Sequence, residues 1–433
     1  MIEKYYSGVI EQIYNRIGKE TRNIVMANYS NDFSIENLEV IRRYQSNEDN
    51  VFFAYSEFSY NTLVGAYEPF LDIICNMHRR FIGGSFDDFQ KECGVYYLHR
   101  QVLNSYYETG ECFREEMVLL NEVAYEQRRM TMAIADMLKK LSEVKPLMIV
   151  INRFQMASKS SIETIKYLID NPCANIGIVL GVNALVKGAD STVEVWDSIV
   201  ESLEDRSAIY YIGSAGQLKN NVKTTNDDEL YITMNFEQSI QEASNIMEFL
   251  DFEQAKRGCR IIEHKLKFED AWIDEKSLRR FYMVYARTSV LLGEMSKAIE
   301  LTNEYKALIP ENDSEHYLSL YYFMKGTCYM YQGKLEKAGN SAKSAYDYAV
   351  LAEDDTLIFK AELLSVMIKM SGWYNIFFCV QDIPVSDEII EKLIKHGYRN
   401  HLAHIYIYAY DNSRDVVKQS FYCLLYTSPS PRD

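Results

Sequence analysis

Along the first half of the chain, short uninterrupted apolar runs alternate with longer stretches in which apolar residues recur every three or four positions. The runs are RNIVMA (22–27), NVFFAY (50–55), LMIVI (147–151), NIGIVLG (175–181) and AIYYIG (208–213). Runs of this length without polar alternation suit strands buried on both faces of a parallel sheet. Between them, SIENLEVIRRYQ (34–45), NTLVGAYEPFLDIICNMHRRF (61–81), SIETIKYLID (161–170) and VEVWDSIVESL (193–203) carry the helical period. The pattern predicts an α/β domain over residues 1–235. Residues 82–145 hold helical patterns alone, which predicts a helical insertion on one side of the sheet.

From residue 236 onward the strand signal fades, and apolar residues recur at helical spacing with Gly and Ala at fixed offsets. Gly293 is followed five residues later by Ala298, and Gly333 five residues later by Ala338; the two pairs are 40 residues apart. Gly372 comes 39 residues after Gly333, and Ala255 lies 43 residues before Ala298. Small residues let two helices approach closely, and a glycine between helices permits the turn, so the period reads as stacked helix hairpins.

The second of these units places Tyr322, Gly326, Tyr329, Gly333, Ala338 and Ala345 in the order of the tetratricopeptide (TPR) pattern, which it resembles. The first unit keeps Gly293, Ala298 and Pro310, with Ala286 in the early Gly position and Tyr305 in the later Ala position; the third keeps only Gly372. The resemblance covers residues 240–385 and implies an all-α superhelix over 236–422 whose groove binds a protein or peptide segment. Tyr282 and Tyr285, on the first helix of the first hairpin, are the candidate partner-binding residues. Tyr322 and Tyr329 occupy packing positions of the motif.

A second resemblance starts from IVINRFQMASKSSIETIKYLI (149–169). It looks like the segment around the acidic nucleotide motif of the STAND class of signal-transduction ATPases, within the AAA-like P-loop group. There an apolar strand ends in two acidic residues, followed by an apolar and a polar residue, Trp-Ala, a polar turn and a Ser-Leu-Glu helix start. Here Asn152 and Arg153 stand in the acidic pair and Met156 in place of Trp, while Ala157, Ser161 and Glu163 are kept.

The resemblance implies a parallel sheet of order 5-1-4-3-2 and a phosphate-binding loop after the first strand. A working loop needs two glycines, a lysine and a hydroxyl. In ANYSNDFS, Ala27 and Asp32 take the glycine positions with Asn31 beside them, Phe33 replaces lysine, and Ser34 alone survives. Asp32 adds a charge of the wrong sign for a phosphate, and Asn183 ends the fourth strand where the class commonly has arginine. The expectation is a degenerate ATPase domain whose vestigial site is Ala27, Asn31, Asp32, Phe33, Ser34, Asn152, Arg153 and Asn183. No catalytic residues and no cofactor are expected, with ATP bound weakly or not at all.

Two other readings of the first half stand beside this one. In one, an unrelated doubly wound domain uses Asn152 only to cap the following turn. In the other, an ATP-driven switch keeps an atypical site, with Arg153 clamping phosphate and Ser34 holding a metal. A further reading of the whole makes it a scaffold whose α/β part caps the repeats.

Composition narrows these choices. The chain has 433 residues, 48% apolar and 25% charged, as a globular protein has. With a net charge of -16 and no Lys/Arg block, this portion is not expected to bind nucleic acid or an anionic membrane. No signal-like start or apolar stretch of membrane-spanning length is present in the sequence, and a cytoplasmic location is expected. Outside the C-terminal tail the cysteines lie at 75, 93, 112, 173, 259, 328 and 379 without CxxC spacing, which suits reduced structural thiols. His396, His401 and His404 lack further ligands nearby, so no metal site is expected.

The last eleven residues, CLLYTSPSPRD (423–433), resemble a translated sequencing adapter. Such a tail is foreign to the fold, and the authentic chain is expected to continue past Tyr422. The combined expectation is a signalling or regulatory protein, a pseudo-ATPase platform with a TPR module. In the STAND class such modules precede an output domain, DNA-binding or, in some bacterial relatives, a nucleotide cyclase.

Overall fold

The computed structural model describes residues 2–21, 23–29, 35, 38–46, 50–59, 63–114, 118, 120, 122–183, 186–187, 209–211, 223–224, 235–268, 273–312, 314–374 and 391. It divides into two units. The first contains residues 1–114 and 121–271, the second 115–120 and everything from 272.

The first unit is built on a parallel sheet: β1 (Ile24–Tyr29), β2 (Phe52–Glu57), β3 (Leu147–Asn152) and β4 (Ile176–Asn183). A two-residue β5 (Val186–Lys187) and β7 (Lys223–Thr224) pair with each other, and β6 (Ile209–Tyr211) joins the main sheet. Across that sheet the order is β2-β3-β4-β1-β6, every pairing parallel. Each of the first four strands runs a residue or two past its apolar core, so polar residues are carried to the carboxyl ends. The helices are α1 (Ile2–Arg16), α2 (Glu39–Ser46), α3 (Phe70–Met77), α4 (Phe86–Glu92), α5 (Tyr97–Thr109), α6 (Val123–Val144), α7 (Lys159–Asp170), α8 (Phe236–Glu248) and α9 (Phe252–Phe268).

Helix α1 shows why this sequence sits on this sheet. Tyr6, Val9, Ile10 and Ile13 recur at helical spacing and, with Ile17 just beyond the helix, form one buried stripe against Val25, Phe53, Met148, Val150 and Val179. Gly177 on β4 admits the helix, because a Cβ there would lie 2.9 Å from the side chains of Ile13 and Ile17. Tyr6 then donates its hydroxyl to the carbonyl of Ala27 at 2.8 Å.

The expected helix over 61–81 is shorter than the sequence suggests. Residues 63–69 form an irregular stretch and a turn, and α3 starts at Phe70. Pro69 disfavours helical backbone at the residue before it, and Tyr67 already has φ 56°, outside the helical region. The helix expected at 193–203 lies outside the described residues.

The domain boundary also moves. The sequence divides the chain at 235/236, but α8 and α9 belong to the first unit. They are bound there by specific polar contacts as well as apolar ones. Asn245 donates to Gly110 O and accepts from Cys112 N, Ser160 N donates to Asp251 at 3.0 Å, and Gln254 donates to Val64 O at 2.9 Å. Ala255, read as part of the repeat series, is buried in this unit.

Within the helical insertion, α5 and α6 share a buried ionisable pair. His99 Nε2 lies 3.1 Å from Glu126 Oε2, both side chains shut off from solvent. Burial pushes the imidazole down to about 4 despite the attraction of Glu126, which keeps it neutral at physiological pH.

The second unit is helical: α10 (Glu275–Leu291), α11 (Met295–Ala307), α12 (Glu315–Tyr331), α13 (Leu335–Leu351) and α14 (Asp355–Tyr374). Gly293 and Gly333 sit in the turns after α10 and α12 with φ of 77° and 71°, the left-handed conformation that only glycine adopts without strain. Ala298, Ala338 and Ala345 are fully buried. Gly326 marks the closest approach of α12 to its neighbours, since a Cβ there would lie 3.0 Å from Leu364 and 3.3 Å from Ser341. Gly372, expected in a turn, lies inside α14, which is longer than the other helices described in this unit.

Two glycines in this unit make opposite predictions. Gly326→Val should destabilise by roughly 1–3 kcal/mol through overpacking. Gly339→Ala, mid-helix in α13 with open space around it, should stabilise by roughly 0.5–1 kcal/mol. Thermal melts of both variants check the pair.

His99 gives a pH prediction. Its folded pKa lies below the unfolded value, so the unfolded chain binds the extra proton and stability falls as pH drops below about 6.5. Relative to wild type, His99→Gln should gain about 2 kcal/mol between pH 7 and pH 5, read by denaturant titration at each pH.

Candidate functional site

In a parallel sheet the carboxyl ends of the strands collect the residues that meet ligands, so the site is built from that rim. β3 carries Leu147 to Asn152 with every side chain buried, and Asn152 is fully inaccessible. Its neighbours align in register: Glu57 of β2 pairs with Asn152, and Ala27 of β1 pairs with Gly181 of β4. The amide oxygen of Asn152 lies over Gly181, 2.8 Å from where a Cβ would project, with Ile35 equally close. Ala27 and Asn152 therefore flank Gly181 at one level of the sheet, and any side chain at 181 would push the amide aside.

After Asn152 the chain turns sharply. Arg153 has φ 54°, a left-handed conformation uncommon for a long side chain. A short 3-10 turn, Phe154–Met156, follows, and Ser158 caps α7 by accepting from Ser161 N. The turn sends the guanidinium toward β2, where Arg153 Nη1 lies 3.0 Å from Glu57 Oε1; both side chains are under one-fifth exposed. Tyr55 donates to the other oxygen of Glu57 at 2.5 Å, and Phe58 N donates to Asn152 O at 3.2 Å. On the far side, Asn183 N donates to Gln155 Oε1 at 3.2 Å. Asn183 itself is buried.

Among the described residues, the rim thus offers amides, one guanidinium and one carboxylate, the last two paired with each other. The arrangement can fix strand ends and orient a turn. It brings Ala27, Asn152, Arg153 and Asn183 to one end of the sheet. Asn31, Asp32, Phe33 and Ser34 lie outside the described residues.

Glu57 and Gln155 were not among the residues expected from sequence. The signal for Glu57 was present, as an acid closing the NVFFAYSE run, and becomes meaningful only once β2 and β3 are known to be adjacent.

In the second unit, Tyr285 is 3% exposed, packed beside Phe281 and Lys297, and offers no ring surface to a partner. This corrects its assignment as a partner-binding residue; only Tyr282 is partly exposed. Tyr322 stacks on Tyr348, with ring centroids 5.6 Å apart, and Tyr329 joins the apolar cluster around Ala338 and Leu364.

Among the described residues there is no group of three His, Cys, Asp or Glu side chains placed to hold a metal, and no helix is long and apolar enough to cross a membrane. The six described cysteines are unpaired, while His396, His401 and His404 lie outside the described residues. Comparison with protein-family models, with curated proteins and with solved structures finds no match for the chain.

The pair at the strand ends is testable. Glu57→Gln and Arg153→Met should each destabilise by roughly 1–3 kcal/mol, because each leaves a largely buried charge without its partner. The double variant should lose less than the sum, with a coupling of about 1 kcal/mol or more in urea melts.

Proposed function

We propose that the chain is a regulatory protein in which a P-loop-like α/β platform has lost nucleotide chemistry and is joined to a TPR-like helical module that engages a protein partner. The observation that carries this reading is the end of β3, where an acid pair is replaced by a buried amide and by an arginine tied to Glu57. Magnesium-assisted phosphoryl transfer needs carboxylates there to hold the ion and orient water. Asn152 lacks the charge, and Arg153 carries the opposite one.

The reading draws further support from the parallel sheet, in which β6 lies beside β1 and β2 at the far edge. The glycine turns and buried alanines at tetratricopeptide positions support the second half. The reading places this part of the protein in the cytoplasm, with protein partners rather than nucleic acid.

The deciding experiment is calorimetric titration with ATP and magnesium, together with a phosphate-release assay, on the purified chain. The expectation is no turnover above background and no micromolar binding. Micromolar binding with turnover would instead favour the ATP-driven switch. For the module, Tyr282→Ala should weaken recovery of a bound partner without changing the melting temperature; Tyr285 is unsuited to this test because it is buried.

A further inference from the structure

The first unit holds a cleft of about 260 Å³ away from the strand ends, between the turn before α3, helix α5 and helix α8. Leu63, Ala66, Leu71 and Phe249 supply apolar walls, and three carboxyl groups line it: Glu68, Asp72 and Glu242. Two of them converge. A single point, where a Cβ on Gly65 would sit, lies 2.9 Å from Glu242 Oε1 and 3.4 Å from Glu68 Oε2. Glu68 is held in place, since its Oε2 accepts from Gly65 N at 2.9 Å. A side chain at Gly65 would crowd the Glu242 carboxyl.

Two carboxyl groups facing one point in a partly dry cleft repel each other when both are ionised, which favours keeping one of them protonated. We propose that Glu242 and Glu68 form a proton-gated latch, closed on α8 while the pair holds a proton and released when that proton leaves to solvent.

Burial and then the charges of Glu68 and Asp72 push Glu242 up to about 7. Glu68 is also raised, by burial first and then by Asp72. The other titratable groups facing this end of α8 do not offset these charges. Tyr106 on α5 donates to Asp72 at 3.3 Å, and its own pKa is raised by burial and by the acids around it. The Cys112 thiol is raised by burial, then by Glu248 and Glu242. Arg114 is directed to Glu248, 3.8 Å away, at the other end of the helix. Helix α9 meets this part of α8 with Gly258, which faces Ala243 and Leu63, and brings the Lys265 ammonium 6.0 Å from the ring of Phe236 at the start of α8.

The direction follows from the raised value. The closed state holds a proton that an open, hydrated Glu242 would release above about 4.5, so closure is favoured at low pH and weakened as pH rises through about 7. The first helix turns of α8 and the stretch 63–72 are the parts that loosen. This places a switch near neutrality in a segment that also anchors α8 to the insertion through Asn245.

Amide hydrogen exchange on the full chain tests the latch, comparing wild type with Glu242→Gln at matched pH so that intrinsic exchange rates and the titration of His99 cancel. At about pH 5.5 the two should protect residues 236–248 alike. At about pH 8.5 wild type should exchange there about ten- to thirtyfold faster than the variant. A wild-type to variant ratio that does not change with pH overturns the proposal. Infrared titration of the wild-type chain decides independently, even where the variant fails to fold. The expected result is a protonated carboxyl band lost as pH passes through about 7, and a chain without such a band at about pH 5.5 contradicts the latch.

Discussion

Strand β3 is covered on both faces from its first residue to its last, and much of the first unit follows from what that burial permits at its end. A residue closing such a strand cannot carry an unpaired charge, because removing an ion from water costs several kcal/mol unless a partner compensates. Asn152 satisfies the condition by being neutral. Arg153 satisfies it by leaving the strand direction altogether, through a left-handed turn that delivers its guanidinium to Glu57. The cation at the end of β3 and the acid at the end of β2 are thus one structural feature, tying two adjacent strands where a ligand-handling protein would keep charges available. Among the described residues, the two charges of this rim are committed to each other.

The second unit rests on a different constraint, the closeness of helices. Gly326 lets α12 approach both α13 and α14, and Ala338 and Ala345 on the facing helix are small enough to accept it. Ser319 then reaches the carbonyl of Ala345 at 2.9 Å, a contact that only such closeness allows. Tight packing of this kind claims aromatic side chains as well. Tyr285 and Tyr321 are drawn inside, and Tyr322 is committed to Tyr348, so tyrosine content is a poor guide to an exposed binding face here.

The parts of this architecture legible in the sequence are those fixed by local pattern. The strands β1 to β4 stand out because apolar runs of their length have few other uses, and the turns at Gly293 and Gly333 because the backbone there needs glycine. What stayed hidden depends on partners far along the chain. Helices α8 and α9 have the same period as the repeats behind them, and it is their distant contacts, among them bonds to residues 64, 110, 112 and 160, that assign them to the first unit. The helix expected from residue 61 failed for a local reason that was readable, the proline at 69. Glu57 and Glu242 looked like ordinary surface acids, since nothing in their neighbourhoods announces that one meets Arg153 and the other Glu68.

The buried titratable groups of the first unit also oppose one another. His99 is held neutral, so acid favours unfolding through it, whereas Glu242 is held protonated, so acid favours the closed state through it. Taken as a pair, the two shifts are of similar size, act over overlapping pH ranges and offset each other. They act at different places: His99 lies between α5 and α6 with Glu126, while Glu242 on α8 faces Gly65 beside Glu68. Local opening of α8 can change with pH independently of the global transition, and a measurement that reports only the global transition would miss it.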